Sequence, residues 1–415
     1  MRAGVSLTAL ASSWAAFTVH AALFLKRGGR LGLVLPAELL SVNYAAEVRR
    51  FLMEKFRTVR LVVFAERVFP GVLEEIVLLL ADGFDEGPAN HCELYQAHNV
   101  SDLDRAVGRR WRPSSPGAKW TPSLLTADGL VPYEVLSNDG RFTTLHCWGE
   151  TTLGMVTGNN RYFTMSPASA AKHGIDETEL MRISPPGSRH LRGLALTQRR
   201  WDELGAGGRA TYLFRPTNAP SRAATRYIRS GEAAHVDEAY KCRMRKPWWR
   251  VPLVPPAHLL LTYMNADSLR LCVNRAQVHH VNSVHGVFLR PGLIRLGVDV
   301  LPLAALNSMT LLGAEMVGRA YGGGILKIEP KEADVLPLPA PALVEEARAD
   351  LVALRPRIAR ILVGGRVTEA AELIDEVLLV RHLGLRPVEV AALRGAHAAM
   401  QARRRAREAG PDEPS

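Results

Sequence analysis

The chain has 415 residues, of which 47% are hydrophobic and 22% charged, and these values predict a soluble globular protein of two or three domains. Its four cysteines are widely spaced and form no Cys-x-x-Cys pair, so neither a zinc ribbon nor a disulfide scaffold is indicated, and a cytoplasmic protein with reduced thiols is favoured. The formal net charge of +11 indicates an anionic partner, with nucleic acid as the first candidate.

The first apolar stretch covers residues 3–25, which include no charged side chain. A membrane signal anchor is one interpretation, because basic residues flank the stretch on both sides. However, Ser12, Ser13, Thr18 and His20 interrupt it, and alanine is its commonest residue. The pattern therefore favours a helix over residues 12–27 that packs on a sheet, with no membrane span.

A regular alternation of strands and helices follows. The segment "RLGLVLP" predicts a short strand buried on both faces in a parallel sheet, and "NYAAEVRRFLMEKF" predicts an amphipathic helix with Arg49, Arg50 and Lys55 on its polar side. The segments "TVRLVVFAE" and "LEEIVLLLAD" predict two further strands, joined by a loop that carries "RVFPG". Strand, helix and strand with short connections indicate a doubly wound α/β fold.

In the order of these segments, residues 10–85 resemble the second half of the catalytic domain of a class I DNA adenine-N6 methyltransferase that uses S-adenosylmethionine, of the Eco57I/TaqI-like group. "GGRLGLVLPAELL" is similar to the fifth sheet strand of that group, and "VRLVVFAERVFPGVLEEIVLLL" to its sixth and seventh strands. The similarity continues through "VTGNNRYF", "RKPWWRVP" and "YGGGILKIEPKEADVLPLP". It implies the C-terminal half of a Rossmann-like sheet, joined to a mixed α+β target-recognition domain and a helical tail.

Two motifs of that family are missing: the glycine-rich turn that holds S-adenosylmethionine and the Asn-Pro-Pro-aromatic motif that holds the target adenine. Both Pro-Pro pairs have other neighbours, and the glycine clusters at 205–208 and 322–324 are not placed between a strand and a helix. We therefore expect a truncated or split enzyme that does not bind S-adenosylmethionine alone. Its partner would be a separately encoded N-terminal methylase half or a restriction subunit. The resemblance makes Phe69 of "RVFPG" the candidate residue that stacks on the flipped adenine. The alternative is that the Phe69 side chain only fills space at the top of the sheet.

Composition predicts where the domains change. Residues 1–85 form the partial catalytic domain, and residues 86–141, rich in turn residues and prolines, form a linker or insertion. Residues 142–340 form the target-recognition domain. Residues 341–415 form a helical tail, whose charged end after Met400 is expected to fray.

The candidate DNA-binding residues lie in the predicted recognition domain. Asn159 and Asn160 are placed in a turn and are candidates for reading adenine edges, although turn formation alone explains them too. Residues 182–250 contain 15 Lys and Arg against 5 Asp and Glu, an excess of +10. The clearest basic cluster surrounds two tryptophans and is a candidate DNA-facing surface; the alternative is a solvated basic face over tryptophans that belong to the core. The cluster consists of Lys241, Arg243, Arg245, Lys246, Trp248, Trp249 and Arg250. Lys327, nearer the C-terminus, is a separate candidate for a phosphate contact.

The resemblance and the basic cluster together predict a DNA adenine-N6 methyltransferase of a restriction-modification or related defence system, acting on double-stranded DNA. The alternative is a non-catalytic DNA-specificity subunit that docks a separate methylase half, and a third possibility is a remnant without function. His279, His280 and His285 have no acidic or thiol partner nearby in the sequence, so no metal site is expected.

Overall fold

The computed structural model describes residues 3–9, 11–66, 68–69 and 74–406. Helices α1 to α17, in chain order, are Ser13–Ala22, Glu38–Ser41, Ala46–Lys55, Ala127–Asn138, Leu145–Trp148, Asn160–Phe163, Pro167–His173, Gln198–Ala206, Arg222–Ala233, Tyr240–Arg243, Ile294–Ala304, Ser308–Val317, Pro330–Asp334, Pro341–Glu346, Arg348–Val363, Val367–Asp375 and Pro387–Arg405. Strands β1 to β18 are Arg30–Pro36, Phe56–Phe64, Ile76–Phe84, Cys92–Ala97, Gly108–Trp111, Phe142–Thr144, Gly149–Leu153, Thr164–Met165, Leu180–Ser184, Tyr212–Phe214, Leu259–Thr262, Met264–Asn265, Leu271–Val273, His279–His280, Val284–Leu289, Arg319–Tyr321, Ile325–Lys327 and Pro337–Pro339.

The chain divides into two compact units. Unit 1 comprises Met1–Val135, Leu312–Lys327 and Ala391–Ser415, and unit 2 comprises Leu136–Leu311 and Ile328–Val390. Each unit is therefore built from segments that are distant in the sequence. The fold is mixed α/β, with several small sheets.

Unit 1 contains a five-stranded sheet in the order β1-β3-β2-β4-β5. β3 is antiparallel to both β1 and β2, so β1 and β2 run in the same direction with β3 between them. β4 is parallel to β2, and β5 is antiparallel to β4. The three predicted strands are present, but the sheet is mixed rather than parallel. Residues 86–141, expected to be a linker or insertion, supply β4 and β5 to it.

β1 is covered on one face only, which corrects the expectation of a strand buried on both faces. Leu31 and Leu35 are buried, whereas Val34 is 53% exposed. Leu80 on the neighbouring strand β3 is 40% exposed. In the register of the antiparallel pair, Leu80 lies opposite Gly32, two residues from Val34, so the two exposed side chains share a face. β1 is also the edge strand of the described sheet, since β3 is its one neighbour there.

Arg49 of helix α3 is buried, although its sequence position predicted a solvated polar face. Its Nη1 donates to the carbonyls of Leu39 at 2.9 Å and Val42 at 3.1 Å, and its Nη2 donates to the carbonyl of Gly117 at 3.1 Å. Burial lowers the pKa of the guanidinium to about 10. The side chain thus donates to three backbone carbonyls, of which that of Val42 also accepts from the backbone N–H of Ala45.

Unit 2 contains two four-stranded sheets, in the orders β13-β11-β15-β7 and β14-β9-β10-β8. A short antiparallel pair joins β18 to β6. Around these sheets lie apolar clusters, one of which gathers aromatic rings from α6, β10 and α9. The result is the mixed α and β architecture expected of residues 142–340, although the unit also includes helices from the predicted tail.

The last helix continues past Met400, where fraying was expected, while residues 407–415 of that segment lie outside the described residues. α17 extends to Arg405, and Arg403 Nη2 lies 2.6 Å from a carboxylate oxygen of Glu75. Arg404 Nη2 and Nε lie 2.8 Å and 3.0 Å from the two carboxylate oxygens of Glu315, with both side chains buried. The arginines that suggested a solvated end therefore anchor α17 within unit 1.

Among the described residues no single helix is long and apolar enough to cross a membrane. The bent pair Pro291–Ala304 and Ser308–Val317 reaches that length and composition only when taken together.

Candidate nucleic-acid interface

The predicted turn around Asn159 and Asn160 is held by its own hydrogen bonds. The Thr157 hydroxyl donates to Asn160 Oδ1 at 2.7 Å, and Asn159 Oδ1 accepts from the backbone N–H of Tyr162 at 3.2 Å, which caps helix α6. Gly158 has a φ of 91°, in the left-handed region that favours glycine. Both asparagine oxygens are thus engaged, so a bidentate contact to adenine would use the second lone pair of the oxygen and the amide N–H.

The basic segment 241–250 lies beside this turn. Cys242 is buried, and its Sγ lies 3.7 Å from the carbonyl oxygen of Thr157. Arg245 donates to the same carbonyl at 2.8 Å and also to the carbonyl of Val156. The structure therefore brings together two segments, 157–160 and 241–250, that the sequence separates by about eighty residues.

The cations of this segment fall into two groups. Lys241, Arg243 and Lys246 are exposed. Arg245 is half-buried and donates to the backbone of the turn. Burial lowers the pKa of its guanidinium. Arg250 donates to Asn218 Oδ1. Three of the five cations are thus available to a ligand without breaking a bond to the turn or to Asn218.

Trp248 and Trp249 are half-buried and pack into the apolar clusters of unit 2. The Trp248 ring lies 5.6 Å from the Tyr162 ring, and its Nε1 donates to a carboxylate oxygen of Glu232 at 3.2 Å. The Trp249 ring lies 6.0 Å from that of Trp248 and nearly perpendicular to it, at 86°. Trp248 and Trp249 are thus part of a packed aromatic cluster, and the exposed cations lie in the same chain segment.

Two of the residues predicted to contact DNA, Phe69 and Lys327, belong to unit 1. Phe69 lies in the loop between β2 and β3 and is 41% exposed. Lys327 ends β17, with its ammonium group 5.2 Å from the centre of the Tyr321 ring. The remaining candidates, from Asn159 to Arg250, all belong to unit 2.

Helix α9 carries three arginines that the sequence analysis did not single out. Arg222, Arg226 and Arg229 are exposed and spaced by four and three residues. This spacing places them on one face of the helix, opposite the buried Ala224, Ile228 and Gly231. The i, i+4, i+7 periodicity was available in the sequence, and examining the basic excess by helical face would have found it.

The three histidines considered as metal ligands, His279, His280 and His285, belong to unit 2. Among the residues that the structure describes, no group of three or more His, Cys, Asp or Glu side chains could hold a metal ion. His285 Nε2 lies 2.8 Å from the carbonyl oxygen of Ile328, and His279 Nδ1 lies 2.7 Å from that of Val254. His280 is fully buried, and both of its ring nitrogens are without a hydrogen-bond partner.

The glycine clusters do not fit a nucleotide-binding turn. Gly205 lies in the last turn of α8, and Gly207–Gly208 follow that helix before a strand. Gly323 and Gly324, with φ of 74° and 71°, form the turn between β16 and β17. Neither cluster joins a strand to the N-terminus of a helix, the context in which backbone N–H groups cradle a phosphate or a nucleoside. We therefore assign no step with S-adenosylmethionine to these residues.

Comparison with known proteins gives a consistent assignment. Residues 117–379 match the family described as "Type II methyltransferase M.Eco57I, C-terminal domain". The chain is 23% identical over 331 residues to the type II methyltransferase M.AccI of Acinetobacter calcoaceticus, covering 74% of this chain and 58% of that protein. It is 24% identical over 351 residues to M.XamI of Xanthomonas campestris pv. amaranthicola, covering 81% of this chain and 62% of that protein.

The chain thus spans about three fifths of the length of these curated relatives. Its fold is similar to that of the type IIL restriction-modification enzyme MmeI, solved in complex with DNA, with a TM-score of 0.51 and 10% identity, over 94% of this chain and 52% of that one. Because the family match covers more than half of the chain, the chain belongs to the family of the C-terminal domain of the type II methyltransferase M.Eco57I.

Proposed function

We propose that this chain is the DNA-recognition part, with a portion of the catalytic sheet, of a site-specific DNA adenine-N6 methyltransferase from a restriction-modification or related defence system. The observation that carries the proposal is the group of exposed cations Lys241, Arg243 and Lys246, held beside the turn 157–160. Residues 142–340 are the target-recognition region, and double-stranded DNA is the partner. The family, the names of the two relatives and the DNA complex of MmeI support this assignment.

The chemistry explains what this chain contributes. The exocyclic amine of adenine is a poor nucleophile, and an enzyme that methylates it extrudes the base from the duplex and orients the nitrogen towards the methyl donor. The exposed Phe69 ring offers an apolar face on which such a base stacks. The cations of unit 2 hold the duplex by its phosphates. S-adenosylmethionine is the methyl donor of the proposed reaction.

We expect the chain alone not to bind S-adenosylmethionine at micromolar concentration, because its glycine clusters serve as a helix end and a hairpin turn. Isothermal titration of the full chain with S-adenosylmethionine measures this directly. A saturable heat with a micromolar Kd would contradict the expectation. It would also mean that other residues of this chain form the donor site.

A specificity subunit that docks a separate methylase half is the alternative. One face of β1 and β3 supports it, since Val34 and Leu80 are exposed there, beside the edge of β1 that no other described strand pairs with. Exposed apolar side chains next to a free strand edge are typical of a surface to which another chain or segment adds. Methylation of duplex DNA by this chain alone would contradict the alternative.

The test of the proposed function is DNA binding by the full chain as a function of salt. Replacing Arg243 and Lys246 together by alanine is expected to flatten the slope of log K against log salt by about 2, since each phosphate contact contributes about 0.9. Fluorescence anisotropy with a labelled duplex at several salt concentrations gives this slope.

The matched control is Arg199→Ala with Arg200→Ala in helix α8, which also removes two positive charges. Those arginines lie 3.0 Å and 3.2 Å from carboxylate oxygens of Glu203. The control should leave the slope unchanged. An absence of DNA binding by the unmodified chain would overturn the proposed function. A loss of sequence discrimination at constant slope would instead identify Arg243 and Lys246 as base-reading residues.

A further inference from the structure

Helix α9 presents a row of arginines, Arg222, Arg226 and Arg229, that no other residue neutralises in the described part of the chain. None of the three guanidinium groups has a carboxylate within 4.0 Å there. This contrasts with helix α8, whose Arg199 and Arg200 both pair with Glu203. Like charges at i, i+4 destabilise an isolated helix, so the row disfavours the helix until a polyanion lies against it.

The dimensions of the row fit a nucleic-acid backbone. Seven residues of α-helix rise about 10 Å. One strand of duplex DNA carries a negative charge for about every 3.4 Å of helix axis. The three arginines therefore span about three phosphate-to-phosphate intervals along one strand. Guanidinium groups also match phosphate oxygens in bidentate geometry.

The start of α9 is fixed by a buried carboxylate. Glu179, which is 5% exposed, accepts from the backbone N–H of Ser221 and from its hydroxyl, both at 2.8 Å. The Ser221 hydroxyl oxygen in turn accepts from the backbone N–H of Ala224 at 3.1 Å, which caps the helix. The row of arginines is thus mounted on a helix whose first turn is rigidly held.

The middle of α9 is bonded to the segment that follows the turn 157–160. The Tyr162 hydroxyl donates to the carbonyl of Tyr227 at 3.0 Å, and the Tyr227 hydroxyl donates to the carbonyl of Tyr162 at 2.7 Å. Their rings stack at 4.7 Å. A Cβ at Gly231 would lie 2.7 Å from the Tyr162 ring, so glycine permits this close approach. A contact that fixes the position of α9 therefore also fixes the position of the turn 157–160.

We propose that α9 is a phosphate-backbone anchor for duplex DNA, in which Arg222, Arg226 and Arg229 fix the position of the turn 157–160 on the duplex. This inference rests on the proposed DNA-binding function and assigns to it a second element, distinct from the cations at 241–246. Phosphate contacts set the orientation of a protein on the duplex, and base contacts then read the sequence.

The experiment compares two double variants of the full chain, each lacking two arginines: Arg222→Ala with Arg229→Ala in α9, and Arg199→Ala with Arg200→Ala in α8. Alanine has a higher helix propensity than arginine, so both helices should remain folded. We expect the α9 variant to lower the slope of log K against log salt by about 2 and to weaken binding equally on specific and random duplexes. The α8 variant should match the unmodified chain.

A third variant, Arg222→Lys with Arg229→Lys, keeps the charge and should keep most of the slope. If the α9 and α8 variants lose equal affinity, net charge alone is responsible and the inference is wrong. If the unmodified chain binds DNA and the α9 variant binds with the same slope, only this inference fails. If the unmodified chain does not bind DNA at all, the proposed function fails as well. A loss confined to the specific duplex would make the arginines base-reading and would overturn the phosphate assignment.

Discussion

Replacing Glu315 by alanine is expected to lower the free energy of unfolding of unit 1 by about 3–5 kcal/mol, the usual effect of removing one partner of a buried ion pair. Arg404 forms two bonds to this carboxylate and also donates to the carbonyl of Gly324. Without Glu315 its guanidinium would lose both of these charge-assisted bonds while remaining buried. Urea unfolding of the full chain, followed by far-UV circular dichroism, measures the change.

Two controls make this measurement specific. Glu369→Ala breaks the exposed pair of Arg366 and Glu369, whose side chains are 60% and 39% exposed, and should change the stability by less than about 1 kcal/mol. The double variant Glu315→Met with Arg404→Met should recover much of the loss, since an apolar pair of similar size replaces a buried ion pair at little net cost. A decrease below about 1 kcal/mol for Glu315→Ala would show that α17 is not held by this pair.

The second large expected effect is a loss of stability in acid caused by buried histidines. Burial, with repulsion from His285 and His279, lowers the pKa of His280 to about 4. Burial likewise lowers the pKa values of His190 and His397 to about 4, aided by neighbouring arginines. In the unfolded chain a histidine has a pKa near 6.5. Between pH 6.5 and 4 the unfolded state therefore binds more protons than the folded state, and stability falls as the pH falls through this range.

For the fully buried His280 this difference corresponds to about 3 kcal/mol across the window. Urea unfolding at several pH values between 4 and 8 measures it. Replacing His280 by glutamine should remove part of the pH dependence below pH 6.5, whatever its effect at pH 7. His235→Gln is the matched control, because Glu238 raises the pKa of that exposed histidine and its contribution has the opposite sign. An unchanged pH profile for His280→Gln would contradict the expected role.

The strands of unit 1 could be predicted because each is a continuous apolar run. β1, β2 and β3 all lie where the sequence indicated. Their arrangement could not be predicted in the same way, since the insertion of β3 between β1 and β2 depends on pairing between distant residues. Composition did not indicate β4 and β5 within residues 86–141, because these strands are short and most of the prolines and glycines of the segment lie outside them.

The burial of individual charged side chains also could not be predicted from the sequence. Local periodicity placed Arg49 on a polar helix face, and a run of arginines suggested that the chain frays after Met400. In the structure Arg49 and Arg404 are buried, because carbonyls and carboxylates from remote segments surround them. The same reasoning applies to the candidate interface: composition located the basic segment 241–250, but only tertiary contacts separate Arg243, which is exposed, from Arg245, which bonds the turn.

The order of the segments in unit 1 has a consequence for the synthesis of the protein. The ribosome makes residues 391–406 after all of unit 2, yet these residues supply Arg403 and Arg404 to unit 1. Until then Glu75 and Glu315 lack these partners, and the acidic side chains are left without the arginines that neutralise them. Unit 1, whose first segment is made before unit 2, is therefore completed only after unit 2, and chaperones would have a longer opportunity to bind it than to bind unit 2.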